Sequence, residues 1–87
     1  MKYFQQISVW KTIDSTSAVK YICFQNLENK KYCVQSADFF HAPVDEKQLF
    51  QSEKQIAELF IEIPLIERCE WFPSLEAAIA AHELDFS

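Results

Sequence analysis

No glycine occurs in these 87 residues, where ordinary usage would supply roughly six. Glycine reaches φ > 0 without a Cβ penalty and lets a backbone approach a ligand closely. Without it, every reversal of the chain falls to other residues. The glycine-rich phosphate loops, the dinucleotide fingerprint and the G-x-S-x-G nucleophile elbow are removed together. Turns must be built from Asp14, Asn26, Asn29 and the three prolines, whose side chains or rings imitate or preset turn geometry. Asn29, or else Asn26, is the expected carrier of a left-handed position.

Two polar breakers divide the first half of the chain. Asp14-Ser15-Thr16-Ser17 separates residues 4–13 from 18–27, and Glu28-Asn29-Lys30 separates 18–27 from 31–40. The three runs are rich in β-branched and aromatic residues and read as strands. In the first, Ile7, Val9 and Ile13 share a face and Trp10 takes the other. In the second, Val19, Tyr21 and Cys23 oppose Ile22 and Phe24. Apolar groups on both faces mark a central strand, or a sheet with helices on one side and a partner on the other.

The second half reads as helix, strand, helix. Pro43 stops the third strand, and Asp45 with Gln48 has the capping-box spacing that opens a helix over residues 45–62. Val44 and Leu49 occupy the hydrophobic-staple positions. Leu49, Ile56, Leu59, Phe60 and Ile63 form its apolar stripe. Ser52 offers a second cap within it, and Pro64 closes it. Residues 66–72 alternate as a short fourth strand, with Cys69 and Trp71 on one side and Glu70 and Phe72 on the other. Ser74 then caps a helix over residues 75–84, with Leu75, Ala78, Ile79, His82 and Phe86 on one stripe. The expected fold is α+β in the order β-β-β-α-β-α. It is a single domain over residues 1–87, with two layers: a mainly antiparallel four-stranded sheet packed by two helices.

Charge is unevenly placed. The formal net charge is −5. Acids and lysines balance through residue 61, whereas Arg68 alone opposes Glu62, Glu67, Glu70, Glu76, Glu83 and Asp85 beyond it. Such an acidic end repels phosphates, so nucleic acid is not an expected partner. No run approaches the length of a membrane span, and Gln5, Gln6, Ser8 and Lys11 interrupt any signal-peptide core. The three cysteines cannot all pair within one chain, so a reduced, cytoplasmic protein is expected, with the thiols acting as small hydrophobes.

No chemical motif is complete. Cys23, Cys33, Cys69, His41 and His82 show neither C-x₂-C nor H-x₃-H spacing, so no metal is expected. No cofactor and no catalytic set are expected either. A two-residue loop at Asn29-Lys30 would place Cys33 opposite Asn26 and away from Cys23. Cys69 and His82 meet if the last helix covers the fourth strand, which leaves a cysteine–histidine enzyme as one alternative. A small-molecule site near Trp71, His82 and Cys69 is another, lined by aromatic rings. The leading expectation is a protein–protein interaction module of accessory, inhibitor or antitoxin-like kind. Its surface would be acidic and aromatic, built from Glu70, Glu76, Glu83, Asp85, Phe40 and Trp10, for a basic partner protein or a second copy of the chain.

Overall fold

The computed structural model describes residues 2–85. Three antiparallel strands form one sheet in the order β1-β2-β3: β1 (Phe4–Thr12), β2 (Ser17–Asn26) and β3 (Tyr32–His41). They are followed by α1 (Glu46–Glu62), the single turn α2 (Leu65–Arg68) and α3 (Leu75–Asp85). The α+β class holds; the sheet has three strands rather than four.

Each turn is built from short polar side chains. Asp14 Oδ1 accepts from Thr16 N at 2.8 Å, Thr16 Oγ1 at 3.0 Å and Ser17 Oγ at 2.8 Å. These bonds hold the Asp14 carboxyl at about 2, the backbone N–H of Thr16 being the largest cause. In the second hairpin, Asn26 Oδ1 accepts from Glu28 N and Asn29 Oδ1 from Lys31 N, each at 2.9 Å. Both asparagines thus imitate a backbone turn with their side chains. The left-handed residue is neither of them but Lys30, at φ 61°. With Asn26 and Asn29 committed to side-chain bonds, the chain turns at the next residue. That register sets Cys33 opposite Phe24 and Cys23 opposite Val34. An irregularity between Ile22 and Cys23 leaves Gln35 without a cross-strand partner, the pattern of a β-bulge.

β2 is the central strand, and its alternation covers both faces. Tyr21, Ile22, Cys23 and Phe24 are all buried. On one face Ile22, Phe24 and Cys33 form a core with Leu65, and Phe4, Ile56, Cys69 and Trp71 pack against it. α1 lies on this face: Gln48 Nε2 donates to Phe39 O at 2.9 Å, and Ser52 Oγ to Asp38 Oδ2 at 2.6 Å. On the other face Tyr21 meets His82 of α3 edge to face, with ring centroids 5.9 Å apart, and Lys11 ion-pairs with Glu83. The sheet therefore lies between α1 and α3, not beside two helices in a second layer. A central strand apolar on both sides requires cover on both, and α3 supplies on the second face what would otherwise need a partner.

The caps follow local chemistry, with two departures. Asp45 caps α1 by accepting from Lys47 N at 2.9 Å. Gln48 reaches Phe39 instead of returning to Asp45, so the reciprocal capping box does not form. Ser52 ties α1 to β3 and interrupts nothing. Ser74 caps α3 through Ala77 N at 3.1 Å, and Phe86 of the expected stripe lies outside the described residues.

The expected fourth strand is the main correction. Residues 65–68 wind into α2, and only Phe72 pairs with Tyr32. Pro64 explains the change: proline fixes φ near the helical value and suits a helix start, and Leu65 one residue on is drawn into the core. The alternation of side chains still holds where it matters, since Cys69 and Trp71 pack toward the same core.

Candidate functional site

Two regions carry unusual chemistry, one at the outer edge of β3 and one on the α1 side of the sheet. The first is a small pocket of about 170 Å³ lined by Val34, Gln35, Arg68, Cys69, Ala78 and His82, with Glu70 and Asp85 at its wall. The segment after α2 builds one side and α3 the other, so Cys69 and His82 do share a wall. Trp71 does not join them. It stacks on Phe4 at 5.9 Å, on the α1 side of the sheet. The expected set of Trp71, His82 and Cys69 is therefore split: Cys69 and His82 line this pocket, and Trp71 turns to the α1 side.

The thiols differ sharply. Burial pushes Cys23 up to about 11. Cys33 is fully buried and is held protonated, first by its hydrogen bond to Cys69 and then by burial. Cys69 is lowered. The Cys33 thiol is the largest cause, and the neighbouring Arg68 guanidinium adds its positive charge against the cost of burial. Arg68 Nη2 donates to Gln35 Oε1 at 2.7 Å. Its Nε and Nη1 are buried without a hydrogen-bond partner, as is Trp71 Nε1, among the described residues.

The second region is apolar. α1 buries no residue; it meets β3 through Gln48 and Ser52 and β1 through Phe60, whose ring lies edge to face 5.8 Å from Phe4. Beside these contacts the α1 side of the sheet keeps a groove of about 520 Å³ at Phe4, Phe24, Ile56 and Phe60 and another of about 570 Å³ at Trp10, Phe40, Val44 and Leu49. Phe50 and Ile61 stand 72% and 81% exposed. Lys20 lies 5.6 Å over the ring of Trp10 and 5.7 Å over that of Phe40, a cation–π arrangement that fixes the floor of the second groove.

The expected surface residues separate. Trp10 is 58% exposed, but Phe40 is buried beneath it at 4%, and the outward ring of that pair is Phe39. Glu70, Glu76 and Asp85 are exposed. Glu83 turns to the sheet and pairs with Lys11, which lowers its carboxyl and raises the lysine. The acidic ridge along α3 is thus broken at its middle. His41 ends β3 beside Thr16, 3.4 Å from its hydroxyl. No group of three or more potential metal ligands is present among the described residues, and no helix among them is long and apolar enough to cross a membrane.

Sequence reasoning named Cys69 and His82 but passed over Arg68 and Cys33 as its companions. The adjacent Arg68-Cys69 pair was the available signal, because a guanidinium beside a thiol favours the thiolate. Comparison with protein-family models, curated proteins and solved structures finds no match.

Proposed function

We propose that this chain is a protein–protein interaction module that works by docking rather than by bond chemistry. The docking face is the exposed side of α1, the grooves between it and the sheet, and the unpaired β1 edge. One observation carries the reading: a helix of 17 residues buries none of them while Phe50 and Ile61 point outward. Helices in small domains normally gain their stability by burying an apolar stripe. Large exposed apolar areas on a small chain mark interaction sites.

The β1 edge supports the same reading. Residues 4–10 carry no charge and no proline, so the devices that usually block edge pairing are missing. Its unpaired N–H and C=O groups suit strand addition. A second copy suits this edge, since antiparallel pairing of β1 with itself is self-complementary. At exposures of 72%, 81%, 39% and 58%, Phe50, Ile61, Phe60 and Trp10 offer on the order of 500 Å², a large part of the roughly 800 Å² per partner of a stable interface. The exposed acids Glu70, Glu76 and Asp85 add a preference for basic surroundings on the α3 side.

The double variant Phe50→Lys with Ile61→Lys tests this in solution. The expected outcome is a dimer in the parent chain, by light scattering across concentration, and a folded monomer in the variant. A parent that is monomeric throughout, with partner capture unchanged by the double variant, overturns the reading.

A further inference from the structure

The Tyr32–Phe72 bridge fixes the register of the segment that runs outside β3. Its two backbone bonds, at 2.8 and 2.7 Å, make it a hydrogen-bonded antiparallel pair. The bridge lays the segment that carries Cys69 and Trp71 alongside the start of β3, where Cys33 follows Tyr32. The core joins them: Cys69 packs against the cluster of Ile22, Phe24, Cys33 and Leu65, and the two thiols shift each other's acidity in opposite directions. Cys69 alone of the three thiols is not fully enclosed, and it opens on the pocket of about 170 Å³. That volume admits a small polar molecule, a water in the liquid occupying about 30 Å³. Beside it, Arg68 presents two buried guanidinium nitrogens without a partner. Glu70 and Asp85 line the same pocket, yet neither forms an ion pair with Arg68 among the described residues.

We propose that Cys69 and Cys33 form a reversible redox pair, with Cys69 attacking a small peroxide and Cys33 resolving the product to an intramolecular disulfide. The Cys69 thiolate attacks one oxygen of hydrogen peroxide. An S–O bond forms as the O–O bond breaks, and the departing hydroxide takes up a proton and leaves as water. Cys69 is then a sulfenic acid, oxidised by two electrons, and the peroxide is reduced. Cys33 releases its proton and attacks that sulfur. The S–S bond forms, the S–O bond breaks, and the second hydroxide takes up the proton and leaves as water. Two thiols and one peroxide give one disulfide and two waters. Arg68 is a positioning residue here: it holds the charge of the attacking sulfur and touches no other reacting atom. The disulfide would staple the segment after α2 across the outer edge of β3, and a thiol reductant would release it. This rests on the thiol geometry alone and is independent of the docking face.

The test uses the full chain, reduced, exposed to hydrogen peroxide, alkylated and mapped by mass spectrometry. The expected map shows Cys33 linked to Cys69, a loss of two hydrogens, and Cys23 alkylated. Dithiothreitol should restore all three thiols. Three alkylated cysteines after peroxide, or a disulfide that includes Cys23, overturn the proposal. In Cys33→Ser the reaction should stop at the Cys69 sulfenic acid, trapped by a 1,3-diketone. Failure to trap it in a variant that unfolds cooperatively on heating counts against the order of steps. Arg68→Met should slow disulfide formation roughly tenfold, the effect of about one unit of thiol acidity. An unchanged rate removes Arg68 from the site.

Discussion

α3 is 11 residues long and buries Ala78; α1 is 17 residues long and buries nothing. Both lie against the same three strands. The difference is in the side chains that meet the sheet. α3 presents Ala77, Ala78 and Ala81, small enough for the helix to come close to β3. The approach is then clasped by Tyr21 against His82 and by Lys11 with Glu83. α1 presents Ile56 and Phe60, which pack only partly buried against the core, Phe4 and Phe24, and it is tied by two polar contacts, Gln48 to Phe39 and Ser52 to Asp38. Bulk holds it away, and its far side keeps Phe50 and Ile61 in water. A longer apolar helix is thus the less committed one, because contact depends on shape as well as on hydrophobicity.

The sharpest way to break this comparison is to remove the shape difference. Ala78→Leu forces a large side chain into a place with no room and should destabilise the fold by about 1–3 kcal/mol. Ala57→Leu, the same change at an exposed position on α1, should stay within about 0.5 kcal/mol. Paired denaturant melts decide it. Equal costs would mean that the two faces are packed alike and that α1 owes its exposure to something other than bulk.

A smaller effect separates the sheet from both faces. Lys30 sits at φ 61° in the β2–β3 turn, far in sequence from either helix. A left-handed position costs a residue with a Cβ about 1–2 kcal/mol, and glycine removes that while losing roughly 0.5–1 kcal/mol of unfolded-state entropy. Lys30→Gly should therefore raise stability by about 0.5–1 kcal/mol. It should leave the Phe50 and Ile61 surface and its docking unchanged. Loss of stability would show that Lys30 is held by side-chain contacts and not merely tolerated.

The same position shows how far the sequence could be read. The lack of glycine announced that some residue with a Cβ would carry the turn, and the polar breakers placed both hairpins. It could not say which residue, because the choice depends on Asn26 and Asn29 using their side chains as acceptors. The three strands and both long helices were legible from periodicity and from Asp45, Pro64 and Ser74. Residues 66–72 were not, since four residues of alternation suit a strand and a helical turn equally. Pro64 and the pull of Leu65 into the core decided between them. The thiol pair was hidden for the same reason: Cys33 and Cys69 become neighbours only through the Tyr32–Phe72 bridge. Which face each helix would take depends on the hand and length of its connection, and no single residue encodes that.

The smallest effect distinguishes the faces by pH. The hydrogen bond and charge of Lys11 hold Glu83 below its ordinary value of 4.5, and Glu83 raises Lys11 above 10.5. A depressed carboxyl adds stability that is fully present above its ordinary value and lost as pH falls through the folded value. A raised lysine adds stability that is present below 10.5 and lost as pH rises past it. The clasp on α3 therefore loosens at both ends, weakly, since both groups are at the surface. Asp14, held at about 2 by its turn, also loses its contribution below its ordinary 3.8, so acid alone does not isolate α3. Lys11→Met does. The difference in melting temperature between the parent and Lys11→Met cancels Asp14, which is present in both. It should be steady between pH 5 and 9 and shrink as the pH falls below about 4.5. A difference that stays constant into acid would mean that the ion pair does not fasten α3, and that the close fit of its alanines does so alone.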